Sequence, residues 1–157
     1  IIPKGLPGEG NILVFDNGGS AGYGFADPAA PDGRDSVRRD FSRVLEFDPI
    51  TLEIIWEYSI GGSEKFQFFS HYVSNAQRLP NGNTMVTEGS DGRIFELTED
   101  KQIVWEYMSP FHGTEEPISR RIFRAYRLPY EWVPQLDRPQ QIQVVPPDNG
   151  TFRVPSQ

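Results

Sequence analysis

The chain contains no cysteine and only two histidines, His71 and His112, in 157 residues. Without thiols there is no disulfide, no nucleophilic cysteine and no thiolate metal site, although the cellular compartment stays open. Two histidines by themselves cannot build a His-rich metal cage. Apolar runs fall far short of the ~20 residues that cross a bilayer as a helix, so no membrane span is expected. Basic residues are outnumbered, 15 Lys+Arg against 22 Asp+Glu, for a net charge of −7. An acidic chain without a basic block neither neutralises a phosphate backbone nor adheres to anionic lipid, so no nucleic-acid partner is expected. A Gly-x-Ser-x-Gly elbow, a phosphate-binding loop and a dinucleotide fingerprint are also missing. The chain opens Ile1-Ile2-Pro3-Lys4, without an initiator Met or a signal-like stretch, which is the expectation for a processed product or a piece of a longer polypeptide.

Aromatic residues are plentiful. Three Trp, six Tyr and eleven Phe are enough to fill a sizeable core, which argues against intrinsic disorder. Their positions recur. Arg43-Val44-Leu45-Glu46-Phe47 returns 50 residues later as Arg93-Ile94-Phe95-Glu96-Leu97. Ile54-Ile55-Trp56-Glu57-Tyr58 returns after 49 residues as Ile103-Val104-Trp105-Glu106-Tyr107, and Asn75-Ala76-Gln77-Arg78-Leu79-Pro80 after 49 as Arg124-Ala125-Tyr126-Arg127-Leu128-Pro129. Within one period the pattern predicts four short strands: Tyr72 to Leu79, Thr84 to Glu88, Arg93 to Thr98 and Gln102 to Tyr107. Pro80-Asn81-Gly82-Asn83 and Gly89-Ser90-Asp91-Gly92 separate the first three as tight turns, Asn-Gly being a strong hairpin signal. In the preceding unit the pattern predicts strands over Ile12 to Phe15, Arg43 to Asp48 and Glu53 to Tyr58, with Leu6 to Asn11 as the first turn.

Four strands per period of this length predict an all-β fold, a β-propeller. About three four-stranded antiparallel units are expected, at about 1–60, 66–110 and 119–135, with an extended tail over 136–157. The insertion between Asn17 and Ser42 reads as a functional loop or a solvated spacer. A closed propeller needs about four to eight blades, so the set is incomplete at its N-terminal side. The partner expected is therefore the remaining blades of the same parent protein or another chain that completes the disc.

Gly5-Leu6-Pro7-Gly8-Glu9-Gly10-Asn11-Ile12-Leu13-Val14-Phe15-Asp16-Asn17-Gly18-Gly19 resembles a segment of the bacterial arylsulfotransferase-like β-propeller family. So do Arg78 to Thr84 with Glu88-Gly89, and Arg124 to Arg127 with Tyr130-Glu131-Trp132. The resemblance runs in order over nearly the whole chain and implies the C-terminal portion of a longer protein, periplasmic or secreted. It implies transfer of a sulfuryl group from a phenolic sulfate ester to a phenol through a sulfohistidine, with His, Asn and Arg around the sulfuryl oxygens. A small aromatic sulfate or phenol is the implied substrate. A non-catalytic propeller that binds a ligand or partner is the alternative, since one scaffold serves both.

His71 stands at the head of an expected first strand, the strand type that lines a propeller's channel. The repeat places Arg120 at the matching position 49 residues on, and counting back from Pro7 as from Pro80 places the previous equivalent just before Ile1. His71 is therefore the catalytic candidate, the alternative being a strand-capping histidine. Arg120, Arg124, Asn17 and Asn75 are the substrate-binding candidates. Pairing with Glu115 or Glu116 is the simpler reading of the arginines, and a turn that of Asn17. Alternation along a strand puts Arg121 on the opposite face from Arg120 and Arg124. Asp27, Asp32 and Asp35 match no fixed calcium-loop pattern and read as solvated carboxylates rather than Ca²⁺ ligands; no cofactor is expected. The Trp56 and Trp105 motifs read as packing between units rather than a platform for a quinone. His112 reads as an exposed loop residue.

Overall fold

The computed structural model describes residues 1–19, 40–111, 113, 120–138 and 140. Asp27, Asp32, Asp35, His112, Glu115, Glu116 and most of the expected tail lie outside the described residues. Strands β1 (Ile12–Asp16), β2 (Arg43–Phe47) and β3 (Ile54–Ser59) form one antiparallel sheet in chain order. Strands β4 (Ser74–Arg78), β5 (Thr84–Glu88), β6 (Arg93–Leu97) and β7 (Ile103–Met108) form a second, four-stranded one. The fold is all-β; a 3-10 helix over Gly62–Gln67 leads from β3 toward β4, and another spans Tyr130–Trp132. The chain divides into two compact units, Ile1–Arg127, which holds both sheets, and Leu128–Gln157.

The repeat reappears in the ladders. Glu46 lies across from Trp56 with a register shift directly after it, and Glu96 lies across from Trp105 with the same shift. The drift of the period from 50 to 49 has a local cause. The turn after β2 closes between Asp48 and Glu53, whereas the turn after β6 closes between Thr98 and Gln102, one residue shorter. Leu52 and Lys101 hold the same place in these turns, and both adopt positive φ, 61° and 66°.

The hairpin between β4 and β5 differs from a two-residue turn. Leu79 N–H donates to Asn83 O at 2.8 Å, leaving Pro80, Asn81 and Gly82 in the loop. Only Gly82, at φ 88°, needs the left-handed region, because a three-residue loop closes with a single such residue. The corresponding bond in the first sheet joins Ile2 N–H to Asn11 O, also 2.8 Å. Ile2-Pro3 is therefore the counterpart of Leu79-Pro80, and Pro7 falls inside a longer loop. Ile2 and Leu79 are both buried.

Alternation sets the core. Phe15, Val44 and Tyr58 sit side by side across β1–β3, and Ala76, Val86 and Phe95 across β4–β6. These rows belong to one cluster with Phe68 at its centre. The Phe68 ring is 5.3 Å from Phe15, 5.0 Å from Tyr58 and 5.7 Å from Phe95, in tilted and edge contacts that favour aromatic quadrupoles. Phe68 comes from the segment between the sheets, just after the 3-10 helix, and is fully buried.

A polar clamp repeats beside this core. Arg78 pairs with Glu46 of the other sheet, Asn11 Nδ2 donates to Glu46 Oε1 at 2.7 Å, and the Arg78 guanidinium lies 5.8 Å from the Trp56 ring. One repeat later Arg127 pairs with Glu96, which also accepts from Asn83 at 2.7 Å and Asn81 at 3.0 Å, and Arg127 lies 5.2 Å from Trp105. Residues 120–127, expected to open a third unit, carry no strand ladder among the described residues. The Gln77 carboxamide instead stands in for a neighbouring peptide, accepting from Arg127 N–H at 2.8 Å and donating to Arg127 O at 3.0 Å.

Two outcomes follow from this packing. Phe68→Ala is expected to lower the unfolding free energy by about 3–5 kcal/mol, read from urea denaturation, because the site lies between two sheets that cannot collapse onto it. Glu96 is the second. Its burial disfavours the carboxylate, but bonds from Asn81, Asn83 and Arg127 outweigh this and lower its pKa below the ordinary 4.5. The stabilisation is present above that value and is lost as pH falls through the lowered one. Glu96→Gln should therefore flatten the acid limb of a stability–pH profile relative to wild type.

Candidate functional site

His71 does not lie in a strand. β4 begins at Ser74, and Ser70 to Val73 form a bent segment before it. Val73 has φ 42°, uncommon for a β-branched residue and a local strain that the surroundings must hold. They hold it with many bonds. Ser70 O accepts from Gly18 N–H (3.0 Å), Asn17 Nδ2 (3.0 Å) and Ser42 Oγ (3.0 Å). Ser42 Oγ in turn accepts from Ser70 N–H at 2.9 Å and Gly18 N–H at 3.1 Å. Ser70 Oγ donates toward the Tyr72 and Val73 carbonyls, at 2.6 and 3.0 Å, and Ser90 N–H donates to it at 3.2 Å. Phe69 N–H donates to Glu88 Oε1 at 2.6 Å.

This polar floor leaves the histidine outside. The His71 side chain belongs to an exposed residue, flanked by the Tyr72 ring at 4.3 Å and the near-parallel Phe69 ring at 6.5 Å. Among the described residues no group hydrogen-bonds to the imidazole. The Arg121 guanidinium lies 5.2 Å from the Tyr72 ring, so guanidinium and imidazole share one tyrosine as neighbour. The Tyr72 hydroxyl is buried and has no hydrogen-bond partner among the described residues.

The other expected site residues separate into groups. Asn17 stands with His71, but its carboxamide is engaged by the loop: Nδ2 on Ser70 O and Oδ1 accepting from Ser74 Oγ at 3.0 Å. Asn75 donates to Ala125 O at 3.2 Å and lines a cavity of about 370 Å³ with Leu13, Gln77 and Tyr126. Arg124 reaches the same Tyr126, donating to its hydroxyl at 3.1 Å. Arg120 is exposed, and its side chain has no ion pair among the described residues. Its carbonyl crowds Gly92, where a Cβ would meet it at 2.1 Å. Asn17 thus bonds Ser70 and Ser74, on either side of His71, while Asn75 and Arg124 both reach the 125–126 stretch.

Sequence reasoning missed Arg121, Tyr72 and Glu88. Glu88 is buried, and burial raises its pKa although the Phe69 N–H and Arg93 oppose the shift. A signal was present in the repeat, where Asp16 in one unit becomes the longer Glu88 in the next. Gly89 has a readable reason as well: a Cβ there would meet Val73 O at 2.3 Å and Ile122 O at 2.4 Å, two carbonyls related by the repeat.

Among the described residues no cluster of three His, Cys, Asp or Glu could hold a metal, and no helix is long and apolar enough to cross a membrane. Ser42→Ala is expected to destabilise the protein by about 1–3 kcal/mol, since it strands the buried Ser70 N–H, whereas Gly18 N–H keeps its bond to Ser70 O. The same variant should speed amide exchange of Ser70 more than that of Gly18.

Compared with known proteins, the chain matches the family model described as arylsulfotransferase over residues 1–113. No curated protein and no solved structure matches it.

Proposed function

The chain belongs to the arylsulfotransferase family, and on that premise we propose that it forms part of a sulfuryl-transfer site with His71 as the nucleophile. In the first step an imidazole nitrogen attacks the sulfur of a phenolic sulfate ester. The S–O bond to the ring breaks, and the departing phenolate takes a proton from solvent. In the second step the oxygen of an acceptor phenol attacks the sulfur, the S–N bond breaks and the acceptor's proton is released. A neutral imidazole suits this role near pH 7. A loose sulfuryl transition state requires cationic donors.

The observation that carries the reading is an exposed imidazole on a loop whose backbone is bonded at Phe69 and Ser70 before it and at the Tyr72 and Val73 carbonyls after it. Such a loop holds the nucleophile without a reorganisation cost at the moment of reaction. Phe69 and Tyr72 offer aromatic surface to the donor ring, and Arg121 is the cation suited to the sulfuryl oxygens. Arg120 and Arg124 are further candidates from the same segment for binding the donor or the leaving phenolate. Asn17 contributes by fixing the Ser70 carbonyl beside His71, and Asn75 by fixing Ala125 in the arginine-bearing segment.

The same proposal includes a β-propeller. Its support is the repeat of ladders, register shifts and Glu–Arg–Trp clamps between two successive sheets. Among the described residues, β7 pairs with β6 alone. β7 is exposed along its whole length, including Trp105 and Tyr107, whereas their counterparts Trp56 and Tyr58 are half-buried and buried. Further blades of the same parent protein are the occupants proposed for that face. A non-catalytic ligand-binding scaffold is the second reading, favoured by the lack, among the described residues, of a hydrogen-bonded orienting group on the His71 ring.

The test uses the full-length protein with a chromogenic aryl sulfate and a phenol acceptor. His71→Ala is expected to lower turnover by more than about 10³-fold, beyond the loss of one transition-state donor. Its unfolding midpoint should not move, because the ring is exposed. Trapped wild-type enzyme should carry an acid-labile sulfated histidine. Full turnover in the variant would remove His71 from the mechanism.

A further inference from the structure

Glu88 is a buried ionisable group that the transfer chemistry leaves unused. It ends β5, across from Ser74 of β4 and Arg93 of β6, and is 2% exposed. Its two oxygens have separate tasks. Oε1 accepts from Phe69 N–H at 2.6 Å, and Oε2 faces Arg93 Nη1 at 3.2 Å. Arg93 also donates to Gln67 O at 3.1 Å and to Glu106, and its guanidinium lies 4.6 Å from the Phe95 ring. One ion pair thus grips the chain at Gln67 and Phe69, on either side of the core residue Phe68. Two residues after Phe69 comes Phe69's neighbour in the site, His71.

The preceding unit supplies an internal comparison. Asp16, Arg43 and Glu57 occupy the places of Glu88, Arg93 and Glu106, with Arg43 pairing to Asp16 at 2.9 Å and to Glu57 at 3.9 Å. The Asp16 side chain is 24% exposed and one methylene shorter. An ion pair across neighbouring strands therefore needs only an aspartate. The extra methylene in the second unit takes the carboxylate under cover and brings it to a backbone N–H of the His71 loop.

We propose that Glu88 is a positioning residue, which sets the placement of His71 by holding the Phe69 N–H while Arg93 holds Gln67. Its effect on catalysis rests on the sulfuryl-transfer reading; its effect on the loop does not. A charged acceptor makes a stronger bond to a buried N–H than a neutral one, and length decides whether the bond is made at all.

The test compares Glu88→Asp and Glu88→Gln in the full-length protein, reading Phe69 amide exchange together with steady-state transfer from a chromogenic aryl sulfate. Glu88→Asp keeps the charge and the Arg93 pair but withdraws by one methylene. It should speed Phe69 exchange about tenfold or more, as for one lost hydrogen bond. It should also lower kcat by about 10²-fold with little change in KM, the signature of a misplaced group rather than lost binding. Glu88→Gln keeps the reach but offers one acceptor oxygen to two donors, Phe69 N–H and Arg93 Nη1, so Phe69 should lose less protection than in Glu88→Asp and kcat should remain within about tenfold of wild type. Wild-type protection of Phe69 in Glu88→Asp would overturn the inference, as would equal loss of protection in both variants. If His71→Ala proves fully active, the transfer reading falls by itself, and Phe69 exchange alone then upholds or overturns the role of Glu88.

Discussion

A guanidinium set between a carboxylate and a tryptophan face joins each sheet to the chain that follows it. Arg78 does this against Glu46 and Trp56, and Arg127 against Glu96 and Trp105. The first pair is almost wholly removed from water, with side-chain exposures of 7% and 5%. A pair of this kind adds little net stability over a well-packed apolar substitute, because desolvation consumes most of the Coulomb gain. What it does add is register. A buried carboxylate accepts only a cation at one height along the strand, so a slip of the neighbouring segment would leave both charges unpaired. Asn11, Asn81 and Asn83 occupy remaining acceptor positions on the carboxylates and make the match more exacting.

With the register set, the apolar rows meet and the segment between the sheets can be buried between them. Phe68 enters the core, and its neighbours are then confined to a narrow path over the strand ends. Ser42, Ser70, Asn17 and Glu88 satisfy the backbone of that path bond by bond. The consequence is a strained turn at Val73 that persists because its surroundings over-determine it. The exposed imidazole of His71 is thus a product of the core beneath it rather than of strand geometry. Rigidity at the loop and exposure of its ring have the same origin.

How the site and fold could be read in the residues differs by scale. Strand identities and order followed from the repeat, since alternating rows and turn residues are local properties with short periods. The β5 strand was legible to the residue; β4 was not, because its expected first two residues are withdrawn by the bonds of Ser70 into the bend that carries His71. The Asn81-Gly82 hairpin was legible as a turn, while its length was decided by the bond between Leu79 and Asn83. The equivalence of Pro3 with Pro80 was hidden by a longer loop, which places Pro7 in a deceptive match.

The site follows the same division. A lone histidine near a repeat-related arginine could be picked from the sequence. The arginine that shares its Tyr72 neighbour could not, because Arg121 is brought to Tyr72 by a segment without strand alternation, where period-two reasoning does not apply. Asn17 and Asn75 were legible as polar residues of interest, but their partners are backbone carbonyls 53 and 50 residues away. By itself the sequence determined the repeat, the strand pattern, the acidic balance and the family, because these depend on residue type and spacing. Only the tertiary structure decided which carboxylate is buried, which carbonyls meet Gly89 and where His71 faces, because burial and pairing are properties of segments distant in the chain.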